Sequence, residues 1–409
     1  MNEKLPKQKP LVIYVPGLYS STLKNRDACV RKTAFNPPLS LLKSFVLDGG
    51  DERGGHKNLS LPILWSEKVT DKGEEYFQEK DSIEADGCWK FAQPKLMMFL
   101  ETLNSNGLID FHLIPWDWRR AFEEASDMIA IKVKDISDND PLKRKIILIS
   151  HSTGAMVTWP CVDKHPELFS NWINMAGCLL LGSNVLLGEF LNGWDTPGMS
   201  FMKFLSKDVF FSFPGLYTYF PLQDEERAGE GDGMLVDEHG HYHNVDYFDI
   251  HTWQKYNLGI FGWKDLVTAE EKQHLMHSLA AAKRFRKKYL FCDGNKYEPS
   301  ALSRDIEDYR HIDIICYGSK CFPTHSNFEM KGNICDVSKS KSTREGDGTL
   351  NFKCWSKVPG GLKLKIEYAE EGSNHVALVD DMKVHNLMLD IFFQHDSFTR
   401  KSASELLGM

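Results

Sequence analysis

Residues 145–156 read KIILISHSTGAM. An apolar run ends abruptly at Ser150-His151-Ser152-Thr153-Gly154, and a small-residue helical pattern follows: strand, tight turn, helix. Two readings fit. Ser152 is either a nucleophile on a strained elbow or an ordinary capping position, with Ser152 or Thr153 accepting a backbone N–H. An elbow needs small residues two places before and two after, where strand and helix nearly touch, and its usual form is Gly-x-Ser-x-Gly. Here Gly154 fills the last place and Ser150 stands in the first. A serine is small enough for that place, so the stretch alone leaves both readings open.

The rest of the chain repeats the strand–helix rhythm. Short apolar runs at 10–15, 111–115, 145–150, 172–176, 312–317 and 362–368 read as strands, several of them continuous rather than alternating, as expected when both faces are covered. Helical patterns fall at 95–105, 125–134, 154–164 and 380–394. This alternation predicts an α/β fold with a mostly parallel, doubly wound sheet. Two stretches interrupt it. Residues 24–93 are polar and glycine-rich and read as a lid-like insertion. Residues 181–295 read as an inserted cap, with a Phe- and Tyr-dense segment at 204–222, a hairpin-like stretch and a helix ending in Lys283, Arg284, Arg286, Lys287 and Lys288. The expected division is therefore 1–180 core, 181–295 cap and 296–409 core. The aromatic segment either fills the cap's own core or lines an apolar trough or membrane-facing surface.

Bulk properties narrow the function. The 409 residues carry a net charge of −8, with 42% hydrophobic and 26% charged residues, which fits an ordinary globular protein and supplies no dominant basic surface for nucleic acid. No signal-peptide pattern opens the chain, and the apolar stretch from Met175 is too interrupted for a membrane span. A cytoplasmic location is expected, with peripheral membrane contact through the cap left open. The nine cysteines are scattered without paired spacings, so neither a zinc site nor a disulfide framework is expected. No cofactor is implied.

If Ser152 is a nucleophile it needs a base and an acid, in the α/β-hydrolase chain order serine, acid, histidine. TREGDGTLNF places Asp347 between two glycines that let the chain turn sharply; the competing reading is a plain Asp-Gly turn. A second GDG at 231–233 has no core strand before it and is set aside. Among fifteen histidines, His375 in EGSNHVALVDD has the right order and a loop position. His325 precedes Asp347. His385 lies in a helix among apolar residues. His151, next to the serine, should point away from it. His239, His241 and His243 share a spacing that permits metal binding, in a charge-rich hairpin that does not favour it. An oxyanion hole would take one backbone N–H from Thr153 and another from Leu18, in VIYVPGLYSSTL, where Pro16-Gly17 breaks the strand; a Pro-Gly turn explains that break equally.

Taken together, VIYVPGLYSSTL, LIPWDWRRAFEE, ISHSTGAM, and EGDGTLNF with SNHVALVDD resemble, in order, the lecithin–cholesterol acyltransferase family, which includes phospholipid:diacylglycerol acyltransferases and lysosomal phospholipase/transacylases. PWDWRR is the most discriminating, and DIHTWQKYNLGIFGW in the cap also resembles the family. The resemblance spans nearly the whole chain, loosely at 24–93. It implies an α/β-hydrolase core with cap and lid, and an acyl-enzyme on Ser152. The acyl group of a phospholipid would pass to water or a lipid alcohol. It also implies a structural role near the site for Trp116, Asp117 and Arg119. Two features depart from the family: no signal peptide or lid disulfide partner for Cys29, and Pro160 in the helix after Ser152, which implies a kink.

Overall fold

The computed structural model of the chain describes residues 8–26, 33–35, 59–70, 73–90, 93–177, 207–222, 235–241, 243, 245–290, 302–325, 327–332, 334–336, 343–394 and 397–408. Cys29, the Gly-Asp-Gly stretch at 231–233 and all of 178–206 lie outside them.

Six strands form the central sheet: β1 (Leu11–Val15), β2 (Asp110–Leu113), β3 (Ile146–His151), β4 (Phe169–Met175), β5 (Asp313–Gly318) and β6 (Lys365–Tyr368). Their order across the sheet is β6-β5-β4-β3-β1-β2, and every pairing is parallel. These are the six apolar runs of the sequence, with shifted ends. β4 begins earlier, at Phe169, beyond an irregularity in its ladder: Phe169 pairs with Ile146 and Asn171 with Ile147, which leaves Ser170 as the extra residue of a bulge. β6 begins later, because Pro359–Gly361 turns just before it.

Side chains alternate across the strands and enter two separate apolar layers. Leu11, Ile13, Val15, Leu148 and Trp172 face one side, with α2 (Phe122–Asn139) and α3 (Thr153–Lys164). Val12, Tyr14, Ile147, Ile149 and Tyr317 face the other, with α1 (Pro94–Ser105) and α5 (Met382–Phe392). Burying each such aliphatic or aromatic side chain contributes about 1.5–3 kcal/mol, so a sheet covered on both faces is strongly favoured over an exposed one. α3 runs unbroken through Pro160, so the expected kink does not interrupt it.

Strand order reverses between β1 and β3. β2 lies outside β1 on one side, and β4, β5 and β6 step away on the other. At such a switch point the connections after the two strands diverge, leaving a crevice at their C-terminal ends. The residues that emerge there are Pro16-Gly17-Leu18 after β1 and Ser152 after β3.

Above this crevice the described part of 204–222 forms a short helix, Lys207–Phe211, and a 3-10 turn, Pro214–Tyr219. Phe210, Phe213, Tyr217, Tyr219 and Phe220 are buried, packed with Trp118, Phe122 and Trp253. Of the two readings left open for this segment, its described residues take the core one. α4 (Ala269–Phe285) packs against it. Thr268 caps α4 with a reciprocal Thr268/Glu271 box. Four of the five basic residues at its end are engaged within the protein: Lys283 with Asp246, Arg284 and Lys288 with Glu123, and buried Arg286 with the Thr218 carbonyl at 2.9 Å. Among the described residues no helix is long and apolar enough to cross a membrane.

Candidate active site

Ser152 sits at φ 52°, ψ −125° between β3 and α3. A non-glycine residue in that region carries about 1–3 kcal/mol of strain and persists only where its surroundings hold it. Ser152 N–H donates to the Met175 carbonyl at 2.9 Å, and its carbonyl accepts from Ala155 N–H at 3.1 Å. Its hydroxyl makes no capping bond to α3, which removes the capping reading for Ser152.

The flanking small residues have different reasons. At Gly154 a Cβ would stand 2.5 Å from the Val15 carbonyl oxygen and 2.6 Å from that of Pro16, so only glycine lets α3 start this close to β1. Ser150 has a positive use for its side chain. Its Oγ accepts the indole N–H of Trp172 at 2.8 Å, and both residues are fully buried. A glycine there would leave that indole without its acceptor.

The fold brings Ser152, His375 and Asp347 together. His375 Nε2 lies 2.9 Å from Ser152 Oγ, and Nδ1 lies 2.7 Å from Asp347 Oδ2. A carboxylate only accepts, so Nδ1 carries the proton and Nε2 faces the serine hydroxyl as acceptor. Asp347 follows the strand Thr343–Gly346, which pairs antiparallel with Phe322–His325. Its other oxygen, Oδ1, accepts from Thr349 N–H at 2.9 Å and Leu350 N–H at 2.7 Å. The Asp-Gly turn and the carboxylate aimed at histidine are thus one feature. Gly348, at φ 90°, needs glycine for its backbone angle; at Gly346 a Cβ would meet the Leu350 carbonyl oxygen at 2.4 Å. His375 N–H in turn donates to the Asp347 carbonyl at 2.9 Å. All three residues are buried, with Ser152 6%, His375 8% and Asp347 0% exposed.

The loop after β1 closes the other side. A Cβ at Gly17 would lie 3.1 Å from Ser152 Cβ, so this backbone abuts the serine. Trp116, just beyond β2, donates its indole N–H to the Pro16 carbonyl at 2.7 Å, and its backbone N–H to Ser21 Oγ at 3.1 Å. Leu18 therefore lies in the loop that faces Ser152. Thr153 opens α3, where backbone N–H groups are free of intrahelical partners and the helix dipole is positive. The Thr153 hydroxyl bonds the Tyr219 hydroxyl, a contact for which the sequence holds no signal.

Asp117 and Arg119 stand outside the serine–histidine–aspartate group. The Arg119 guanidinium, fully buried, bonds Asp117 Oδ2 and Asp81 Oδ2 at 2.6 Å each and the Leu59 carbonyl at 3.2 Å. It ties the loop after β2 to two points of the 24–93 stretch.

The remaining histidines separate clearly. His385 is buried on α5, stacked on Phe99. His239 and His241 are exposed around an Asp237 turn, and no group of three metal-ligating side chains occurs among the described residues. His151 corrects an expectation. Its ring does not point away from the site but packs beside His375, centroids 5.1 Å apart, with Nε2 3.1 Å from the His375 carbonyl oxygen. Strand direction alone could not reveal this, because the His375 loop that meets it lies 224 residues downstream.

A parallel sheet of this order, a serine on a strained strand–helix elbow at its switch point, and a histidine and aspartate from later loops define the α/β-hydrolase fold. Such a group can remove the serine proton as the hydroxyl attacks a carbonyl carbon. No family model and no curated protein matches the sequence. Solved structures similar to it include the Tle4–Tli4 complex, at 11% identity over 98% of each chain with a TM-score of 0.49. The mature lipase BlEst2 of Bacillus licheniformis matches at 10% identity, over 95% of this chain and 94% of that one, with a TM-score of 0.37. The naproxen esterase of Bacillus subtilis matches at 8% identity over 95% and 85%, with a TM-score of 0.30.

Proposed function

We propose that this protein cleaves carboxylic esters through an acyl-enzyme on Ser152. The observation that carries the reading is the contact of Ser152 Oγ with His375 Nε2 at 2.9 Å, on a histidine whose other nitrogen is held by buried Asp347. In the first half-reaction Ser152 Oγ attacks the ester carbonyl, and its proton passes to His375 Nε2. The resulting imidazolium is stabilised by Asp347 and gives the proton to the departing alkoxide, which leaves as an alcohol. In the second half-reaction the acceptor O–H loses its proton to His375, the acceptor oxygen attacks the acyl carbonyl, and Ser152 Oγ leaves and is reprotonated. The N–H groups of Leu18 and Thr153 are the proposed oxyanion donors, each worth about 3 kcal/mol in the transition state. Trp116 holds the Pro16 carbonyl, and with it the loop that carries Leu18. Asp117 and Arg119 hold the neighbouring loop.

For the substrate, the resemblance of PWDWRR and the three other motifs to the lecithin–cholesterol acyltransferase family points to a glycerophospholipid acyl ester, with water or a lipid alcohol such as a sterol or diacylglycerol as acceptor. On this reading 181–295 is a cap over the crevice, and the protein works at a membrane surface. One observation favours a second reading, hydrolysis of small dispersed esters. The aromatic segment is packed into the core, and most of the basic cluster is ion-paired within the protein. Product analysis on mixed phospholipid vesicles, with and without sterol and diacylglycerol, decides between them. A new lipid ester means transfer, and free fatty acid alone means hydrolysis. Activity on a short-chain ester that vesicles do not stimulate supports the second reading. Turnover that survives in Ser152→Ala refutes both.

A further inference from the structure

His151 has no part in the reaction as written, yet it touches both sides of the site. Its Nε2 lies 3.1 Å from the His375 carbonyl oxygen. A carbonyl only accepts, so Nε2 carries the hydrogen and Nδ1 is the bare nitrogen. That Nδ1 is buried without a partner and faces the loop after β1, where a Cβ at Gly17 would stand 3.1 Å from it. The ring is therefore wedged between the histidine loop and the oxyanion loop.

We infer that His151 is a positioning residue: its Nε2–H bond to the His375 main chain sets the separation between Ser152 and His375. Three features carry this. His151 is covalently joined to Ser152, so a bond from its ring to residue 375 links the two partners by a short path independent of Asp347. The His375 main chain is then held at both ends, its N–H by the Asp347 carbonyl at 2.9 Å and its C=O by His151. Finally, a position that needed only volume would be better served by an apolar side chain, because a buried acceptor without a partner is costly to keep. The imidazole is worth that cost for the donor on its far nitrogen. Burial, with the His375 ring beside it, pushes the His151 imidazole down to about 3, so it stays neutral while His375 gains a proton during turnover.

The inference rests on Ser152 being the nucleophile, and the test separates the two. Full-length wild type, Ser152→Ala, His151→Gln, His151→Asn and His151→Leu are compared by the rate of fluorophosphonate labelling and by urea unfolding. Glutamine carries an N–H donor at about the reach of His Nε2; asparagine is one methylene too short. The expected result is labelling within about fivefold of wild type for the glutamine variant. Asparagine and leucine should lose about 100-fold, the cost of a reacting group misplaced by around 1 Å. Glutamine and asparagine labelling equally fast would overturn the inference, even if the leucine variant failed to fold. Labelling at Ser152 in wild type with a flat His151 series would sink this inference alone. Absence of labelling in wild type would sink the nucleophile reading and this inference together.

Discussion

Replacing Ser150 with glycine restores the common elbow pattern, and it should destabilise the protein. In the folded chain Ser150 Oγ is the acceptor for the fully buried Trp172 indole N–H at 2.8 Å. Removing it leaves a buried donor unsatisfied, which costs about 1–3 kcal/mol. Glycine inside β3 adds about 0.5–1 kcal/mol relative to alanine through backbone entropy. The sum for Ser150→Gly is roughly 1.5–4 kcal/mol, and for Ser150→Ala, which keeps the Cβ, roughly 1–3 kcal/mol. A simple exchange of one small residue for another predicts only the strand contribution. Urea unfolding of both variants, of Trp172→Phe and of the Ser150→Ala/Trp172→Phe double variant gives the coupling directly. Groups in direct contact show coupling of about 0.5–3 kcal/mol. Strictly additive effects, or a Ser150→Ala variant as stable as wild type, would show that the Ser150–Trp172 bond contributes nothing to stability.

Other consequences follow from the same geometry. Gly154→Ala drives a methyl against the Val15 and Pro16 carbonyl oxygens, both backbone atoms. It should cost about 1–3 kcal/mol in urea unfolding and, by displacing the loop held by Trp116, slow probe labelling of Ser152 about 100-fold; unchanged labelling would count against the placement of that loop. Arg119→Ala strands Asp117 and Asp81 around a buried site and should cost about 3–5 kcal/mol, with labelling of the folded fraction little changed. A large rate loss without a stability loss would give Arg119 a part in the chemistry. Burial pushes the His274 imidazole down to about 4, where Nδ1 accepts the Trp65 indole N–H and Nε2 bonds the Phe211 carbonyl oxygen. Its unfolded value is about 6.5, so the unfolded chain binds more protons between the two, and stability from this group is full above 6.5 and lost as pH falls toward 4. Between pH 7 and pH 5 the loss is about 2 kcal/mol, and His274→Gln should remove that much of the pH dependence of unfolding; equal slopes in the two proteins would contradict it.

The six core strands were legible as short apolar runs; the four inner ones, β1, β3, β4 and β5, are buried almost throughout, while the edge strands β2 and β6 are only partly buried. The Ser152, Asp347 and His375 grouping was legible from chain order, the glycines beside Ser152 and Asp347, and the loop position of His375. What stayed hidden depends on partners distant in sequence. Trp172 as the reason for a serine at 150, Tyr219 against Thr153, and the His151 ring beside His375 all arise from pairing or loop closure across tens to hundreds of residues. The aromatic density at 204–222 could serve a core or a surface equally well. Only the packing of Phe213 on Trp118 and of Phe220 on Trp253 assigns its described residues to the core.

Intact-protein mass spectrometry with peptide mapping reads out the acyl-enzyme on Ser152. After brief reaction with an activated ester, or with a fluorophosphonate, each chain should carry one adduct. It should map to Ser152, be absent in Ser152→Ala and be strongly slowed in His375→Ala. An adduct on another residue, or one that forms at the wild-type rate without Ser152, would contradict the acyl-enzyme on Ser152.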